Sequence, residues 1–390
     1  MTEPATLVSC LTPAGTGAIA VVALYGAGAW PAVRDLFHPA SKKPLPENLP
    51  EAGTVWFGHF GADGLRDEVV VTVKQSAPQP WLEIHCHGGR QVVEWLVELL
   101  SHREVQRLAW PDFLRLIESA IRAEALATMA NAETVRTAAI LLDQANGAMD
   151  RLFEEIRLSL ERGDSATAVA RIDAVLNHAK LGAHLTEPWK VVVAGAPNVG
   201  KSSLMNAVAG YQRSVVAPVP GTTRDVVTAR LAIDGWPVVL SDTAGLGDTA
   251  AGLEREGVDL ARSMLESADL ILWVLDSTVP PVWPDAATVA RNPLLVVNKI
   301  DQPAAWDVSA VAGARHVSAL TGAGVAGLCD AISRFLVASP PAPGDAVPFE
   351  PSQLLEIDKL RSALMAHNRE ASSVLESGSA GANPHRAGNI

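Results

Sequence analysis

The sequence predicts an α/β chain: a doubly wound sheet built on a phosphate-binding loop, with an N-terminal α+β domain and a helical domain. Three observations predict it. Residues 189–338 alternate apolar runs of strand length with helical patterns, as parallel βαβ units do. Gly195-Ala-Pro-Asn-Val-Gly-Lys-Ser202 matches G-x-x-x-x-G-K-[ST], between the apolar run Lys190–Ala194 and the helical run Ser203–Ala209. Residues 111–185 show helical spacings of three and four and no strand alternation.

The bulk properties bound the rest. At 390 residues, two or three domains are expected, and 48% hydrophobic residues suffice for their cores. A net charge of −12 argues against a surface coated for nucleic acid, though not against a local basic patch. Cys10, Cys86 and Cys329 lie far apart and form neither a disulfide framework nor a zinc pattern, which fits a reducing compartment. The N-terminus has no basic segment followed by a long apolar run, and no stretch of about 18 apolar residues is uninterrupted. A cytoplasmic protein without a membrane span is expected.

Residues 1–104 read as an α+β domain. Leu7–Leu11 and Ala18–Leu24 are apolar runs around the turn Pro13-Ala-Gly-Thr-Gly17; Glu68–Lys74 and Trp81–His85 are further strands, and Gln91–Leu100 has helical spacing. Alternation would place His85 and His87 on one face, as a metal needs. No further ligand cluster joins them, so a strand end turning at Gly88-Gly89 is the plainer reading. Residues 105–188 form the first part of the helical domain. Ala138, Leu142, Ala145, Met149, Leu152 and Ile156 mark a packing seam, and Asp164 or Ser165 caps the next helix, whose apolar face is Val169, Ile172 and Leu176.

Within residues 189–338, Asp225–Ile233 and Trp236–Leu240 read as strands joined by Asp234-Gly235, a hairpin signal. Leu270–Leu275 and Pro293–Val297 read as buried parallel strands, and Ala326–Leu336 as the closing helix. Residues 339–350 are Pro-rich and read as a linker; 351–376 form one more helix, with Leu354, Ile357, Leu360 or Arg361, and Leu364 on one side; 377–390 read as a disordered tail.

The chemistry gathers at predicted strand ends. Backbone N–H groups of Asn198, Val199, Gly200, Lys201, Ser202 and Ser203 would cradle phosphates, with the Lys201 charge on the β- and γ-phosphates and the Ser202 hydroxyl on Mg²⁺. In Asp242-Thr-Ala-Gly245, Asp242 would hold Mg²⁺ through water, while Thr243, Ala244 and the Gly245 N–H sense a γ-phosphate. Between them, Gly221-Thr-Thr223 offers Thr222 and Thr223, the latter to complete the Mg²⁺ shell. In Asn298-Lys-Ile-Asp301, the Asp301 carboxylate would accept from guanine N1 and N2, a donor pair adenine lacks. The Ser318-Ala319 backbone would meet the guanine oxygen. Asn298, Lys299, Asp301, Ser318 and Ala319 thus complete a GTP site. The residue after Gly245 is Leu246, not the water-orienting glutamine of Ras-like proteins.

At these motifs the chain resembles the MnmE/TrmE family of tRNA-modification GTPases. The resemblance rests on Gly195–Ser203, Pro220-Gly-Thr-Thr-Arg-Asp225, Asp242-Thr-Ala-Gly-Leu246 and Glu254-Arg-Glu-Gly257. At the N-terminal end it rests on Thr12-Pro-Ala-Gly15 and Glu83-Ile-His-Cys-His-Gly-Gly89. It implies a G domain that hydrolyses GTP with Mg²⁺ and K⁺ in tRNA wobble-uridine modification. It also implies a homodimer, tRNA and a flavoprotein as partners. K⁺ would replace an arginine finger, held by Asn198 and the backbone carbonyls of Ala217 and Val219. Glu254 would act through water, with Thr223 and Lys201 as the other catalytic groups. Read without the resemblance, Asn198 is a turn residue and Glu254 a solvated helix charge. The N-terminal domain would take a tetrahydrofolate derivative and form dimers, with Glu83 as the matching acid. Three features depart from the pattern: Ala23 stands where the family's folate-contacting arginine falls, no basic segment is recognisable around Leu108–Leu116, and the chain closes Ala387-Gly-Asn-Ile390 instead of in a Cys motif. The missing arginine and terminal cysteine favour the alternative function, a switch or ribosome-assembly GTPase, while the retained whole-chain order favours tRNA modification.

Overall fold

The computed structural model describes residues 5–13, 15, 17–41, 43–211, 228–242 and 262–379. The chain divides into two compact units, Met1–Ala127 and Thr128–Ile390.

The first unit is built on a sheet. Its strands are β1 (Leu7–Cys10), β2 (Ile19–Tyr25), β3 (Phe37–Pro39), β4 (Val55–Ala62), β5 (Leu65–Gln75), β6 (Trp81–His87) and β7 (Gln106–Arg107). They lie in the order β3-β4-β5-β6-β2-β1-β7. Its helices are α1 (Ala29–Leu36), α2 (Arg90–Ser101), α3 (Trp110–Ile117) and α4 (Ala120–Met129). Alternation sorts the faces. Val22, Leu24, Val71, Val73, Leu82, Ile84 and Cys86 form a core with Trp30 and Val33 of α1 and Leu96 and Leu100 of α2. On the other face, Ser9, Ala23, Glu83 and Thr72 stand in register across four strands. Phe113 of α3 meets the Tyr25 and Trp81 rings edge-on.

The second unit opens with α5 (Val135–Ala145), α6 (Ala148–Glu161), α7 (Ser165–Leu176) and α8 (Ala179–Ala183). The expected seam is corrected here. Asn146-Gly147 splits it into two helices, and α5 buries Thr137, Leu141, Gln144 and Ala145 while Leu142 is 46% exposed. The three-four spacing extended one helical phase across a turn that resets it. Asp164 caps α7, its carboxylate accepting from the Thr167 N–H at 3.0 Å.

Next come β8 (Trp189–Ala194), α9 (Lys201–Tyr211), β9 (Thr228–Ile233), β10 (Trp236–Asp242), β11 (Leu270–Asp276), α10 (Ala286–Val289), β12 (Leu294–Asn298), β13 (Arg315–His316), α11 (Val325–Leu336) and α12 (Pro351–Ser379). The sheet order is β13-β12-β11-β8-β10-β9, with every pair parallel except β9 against β10. This is the doubly wound α/β sheet. β8 and β11 are nearly continuous apolar runs because helices cover both faces.

Three contacts fix this unit internally. The Arg136 guanidinium of α5 lies 4.1 Å from the Trp236 ring centroid and donates to the Asp234 carbonyl (2.6 Å) and carboxylate (2.8 Å) at the β9–β10 turn. Below β8, Asp269 accepts from the Lys190 N–H at 2.9 Å and lies 3.4 Å from both the His184 ring and the Lys180 ammonium; His184 stacks on Trp189. The Pro-rich stretch 339–350 is held to the helices. Gln144 bridges it, donating to the Asp345 carbonyl (3.0 Å) and accepting from the Val347 N–H (3.2 Å). Among the described residues no helix is long and apolar enough to cross a membrane.

Candidate functional site

The site forms at the carboxyl ends of β8, β10, β11 and β12, around the switch point where ligands of open α/β sheets bind. The loop from Gly195 to Gly200 carries β8 into α9. Asn198 sits at φ +62° and Gly200 at φ +91°, turning the chain so that α9 starts at Lys201. Gly200 is required twice over: its φ is left-handed, and a Cβ there would lie 2.5 Å from Asn298 Nδ2.

Lys201 is 6% exposed, and its ammonium donates to the Gly195 and Ala196 carbonyls, each at 3.0 Å. Burial pushes its pKa below the usual lysine value, against an opposite pull from the Asp242 carboxylate. The Ser202 hydroxyl donates to Asp242 Oδ2 at 2.6 Å, and Asp242 is buried at the end of β10. A hydroxyl and a carboxylate this close offer the hard oxygen donors a dication prefers.

The base-recognition motif is tied to the loop. Asn298, 2% exposed, donates to the Val199 carbonyl (2.9 Å) and accepts from the Ala319 N–H (3.0 Å). The Lys299 ammonium donates to the Asn198 carbonyl at 2.8 Å. The buried Ser318 hydroxyl donates to Asp301 Oδ1 at 2.5 Å, turning the exposed carboxylate toward the Ser318-Ala319 loop. The structure therefore brings together Asn198, Val199, Gly200, Lys201, Ser202, Asp242, Asn298, Lys299, Asp301, Ser318 and Ala319, with Ser203 in the first turn of α9. Ala217, Val219, Gly221, Thr222, Thr223, Thr243, Ala244, Gly245 and Glu254 lie outside the described residues. Sequence reasoning missed Asp276, whose carboxylate lies 2.6 Å from Lys299 Nζ. The available signal was an acid at the end of a predicted buried strand, beside the other motif-bearing ends.

In the first unit, Glu83 is 8% exposed and directly opposite Ala23. Its carboxylate is 3.6 Å from Lys74 Nζ and 3.4 Å from His85 Nε2. His85 and His87 do share a face with Glu83, but the His87 ring faces Asp67 at 2.6 Å. No group of three or more metal-ligating side chains occurs among the described residues.

A phosphate loop linked through Asn298 and Lys299 to a guanine-selective motif defines a P-loop GTPase. Comparison with known proteins agrees. The family described as 50S ribosome-binding GTPase matches residues 190–299, and the GTP-binding protein TrmE N-terminus matches 6–112. The tRNA modification GTPase MnmE of Geobacillus thermodenitrificans is 34% identical over 355 residues, covering 80% of this chain and 76% of that protein. MnmE of Carboxydothermus hydrogenoformans is 32% identical over 339 residues, covering 76% and 73%. The G domain of the T. maritima FeoB iron transporter aligns with 38% of this chain and 99% of its own at 27% identity, with a TM-score of 0.27 that decides nothing further. The chain belongs to the MnmE family of tRNA modification GTPases.

Proposed function

We propose that this chain hydrolyses GTP to serve wobble-uridine modification of tRNA. The observation that carries the reading is one chain holding both the TrmE-type N-terminal unit and a phosphate loop tied to the base motif through Asn298 and Lys299. In this reading Asp301 accepts from guanine N1 and N2, Ser318 aims that carboxylate, and the Ala319 N–H faces the guanine oxygen. Lys201 exchanges its loop carbonyls for phosphate oxygens. Those carbonyls hold the ammonium at the loop in the meantime, so little reorganisation is needed when nucleotide arrives. Ser202 and Asp242 are the described residues that would hold Mg²⁺; their oxygens fit it, and the bound ion supplies charge neutralisation between the β- and γ-phosphates.

With Leu246 after Gly245, activation of water falls to other groups. We assign it to Glu254, with Thr223 completing the Mg²⁺ shell, and the arginine-finger role to K⁺ ligated by Asn198 and the Ala217 and Val219 carbonyls. Asn198 alone of these ligands is described, exposed and left-handed beside Lys201. GTP turnover in K⁺ and in Na⁺ tests this: a large K⁺ advantage is expected, and equal rates refute the cation role. The Glu83 site does not fit a folate carboxylate arm, because Ala23 brings no charge and Glu83 already faces Lys74 and His85. We derive no step through folate. A homodimer, tRNA and a flavoprotein are the partners proposed.

The test of the whole reading is mass spectrometry of tRNA from a deletion strain. Loss of wobble-uridine modification is expected; unchanged uridines refute it. Ala23 favours a second reading, a switch or ribosome-assembly GTPase. Under it, GTP turnover persists, the uridines do not change, and the chain sediments with ribosomal particles in a nucleotide-dependent way.

A further inference from the structure

The β11 end does more than close the sheet. Asp276 is 5% exposed and pairs in register with Asn298. One of its carboxylate oxygens, Oδ1, accepts from the Thr278 N–H (2.8 Å) and from the Thr278 hydroxyl (2.7 Å). That leaves Oδ2 aimed at Lys299, at 2.6 Å. The Asp276 carbonyl accepts from Trp306 Nε1 at 2.9 Å, so the main chain is pinned as well. The next residue continues the bracket: the Ser277 N–H donates to the Asn298 carbonyl (3.1 Å) and its hydroxyl to the Lys299 carbonyl (2.9 Å).

What the bracket holds is strained. Lys299 sits at φ +67°, a left-handed conformation that costs a non-glycine residue and persists only where its surroundings impose it. Asn198, whose carbonyl receives the second Lys299 bond, is left-handed too, at φ +62°. A lysine ammonium is a point charge on a flexible four-carbon stem, so without a fixed partner it samples many rotamers. Here it is stretched between an anion on β11 and a carbonyl of the phosphate loop. It forms one wall of a 270 Å³ cavity lined also by Pro197, Asn198, Thr278 and Val282.

We propose that Asp276 is a positioning residue for guanine-nucleotide recognition: its carboxylate, preset by Thr278, holds Lys299 across the phosphate loop so that base motif and loop act as one preorganised site. The proposal rests on the reading of Asn298–Asp301 as the base site. Asp276 touches no nucleotide in this role. It acts through Lys299, and its effect therefore vanishes when Lys299 is gone.

Binding of a fluorescent (N-methylanthraniloyl) GDP to the purified full chain tests it as a double-mutant cycle. Asp276→Asn keeps the shape and removes the charge; it is expected to weaken binding about tenfold, mainly through faster release. Lys299→Met is expected to weaken binding at least as much, and the double variant no more than Lys299→Met alone. Effects that add, as a merely structural role for Asp276 would give, overturn the proposal. So does an Asp276→Asn affinity within about twofold of the parent. If Asp276→Asn shows no cooperative melt, Thr278→Val takes its place in the cycle, removing one bond to Oδ1; a loss with Lys299 present and none in the Lys299→Met background is expected, and equal losses in both overturn it. Asp301→Asn separates this result from the underlying reading. It is expected to shift preference from guanosine to xanthosine diphosphate. No shift means the base site is misassigned, whereas a shift together with additive Asp276 and Lys299 effects removes the positioning role alone.

Discussion

Gly200→Ala tests whether phosphate loop and base motif are one mechanical object. Two costs arise. A residue with Cβ at φ +91° is strained by about 1–2 kcal/mol. The new Cβ would also stand 2.5 Å from Asn298 Nδ2, so Asn298 must move. Asn298 is buried, and its amide carries two bonds, to the Val199 carbonyl and from the Ala319 N–H. Displacing it weakens both, and each net hydrogen bond contributes about 1 kcal/mol, more if a buried partner is left unpaired. The sum is about 2–4 kcal/mol in the nucleotide-free protein. A fall in melting temperature of about 5–10 °C is expected for a unit of this size, with GDP affinity falling more than tenfold. Thermal unfolding and fluorescent-GDP titration check both. A variant melting within about a degree of the parent, or one that loses stability yet binds GDP normally, would refute the coupling through Asn298.

Other outcomes follow from the same contacts. Burial lowers the Lys201 pKa and phosphate favours the protonated ammonium, so GDP affinity should decline as pH rises from neutral toward the ordinary lysine value; Lys201→Met should be weak and flat over the same range. Arg136→Ala should lower stability by about 1–2 kcal/mol, mostly from the ring contact and packing because the Asp234 pair is largely exposed; hydrogen exchange should quicken at the β9–β10 turn, and unchanged exchange there would count against the clamp. Burial raises the Asp269 pKa, but His184, the Lys190 N–H and Lys180 outweigh it and bring it to about 2. Its contribution is full above the unfolded value near 3.8 and is lost as pH falls toward about 2, so Asp269→Asn should cost about 2 kcal/mol at neutral pH and almost nothing near pH 2.

The site was legible in the sequence where its chemistry is local. A phosphate loop needs fixed residue types at fixed spacing, and a buried parallel strand reads as an unbroken apolar run, so Lys201, Ser202, Asp242 and Asn298–Asp301 could be placed from the chain alone. Asp276 was visible only as an acid at a strand end; its partnership with Lys299 was not, because only sheet pairing brings the two together. In the first unit, β4 escaped notice because Gly58 and Gly61 interrupt its pattern. Gly58 is there for close approach: a Cβ would lie 2.3 Å from the His38 carbonyl on the neighbouring strand. Helix α1 begins Ala29-Trp-Pro31 after two glycines, which reads as a turn; tertiary burial of Trp30, Val33 and Leu36 makes it a helix.

The β9–β10 hairpin lies in the chain between Gly221-Thr222-Thr223, whose Thr223 is assigned to the Mg²⁺ shell, and Thr243-Ala244-Gly245, assigned to the γ-phosphate. Its open end reaches the site through Asp242, bonded to Ser202. Its turn is gripped by α5 through Arg136, and a second tie joins Arg230 of β9 to Glu133 at 2.6 Å. Asp234 at the turn also accepts from Ser333 of α11 at 2.9 Å. The two strands are hydrogen-bonded along their length, and β10 is paired with β8 on its other side, so Asp242 and the Asp234 turn belong to one continuous ladder. Arg136 is therefore the residue at which α5 can be released from the hairpin turn while the phosphate loop stays intact.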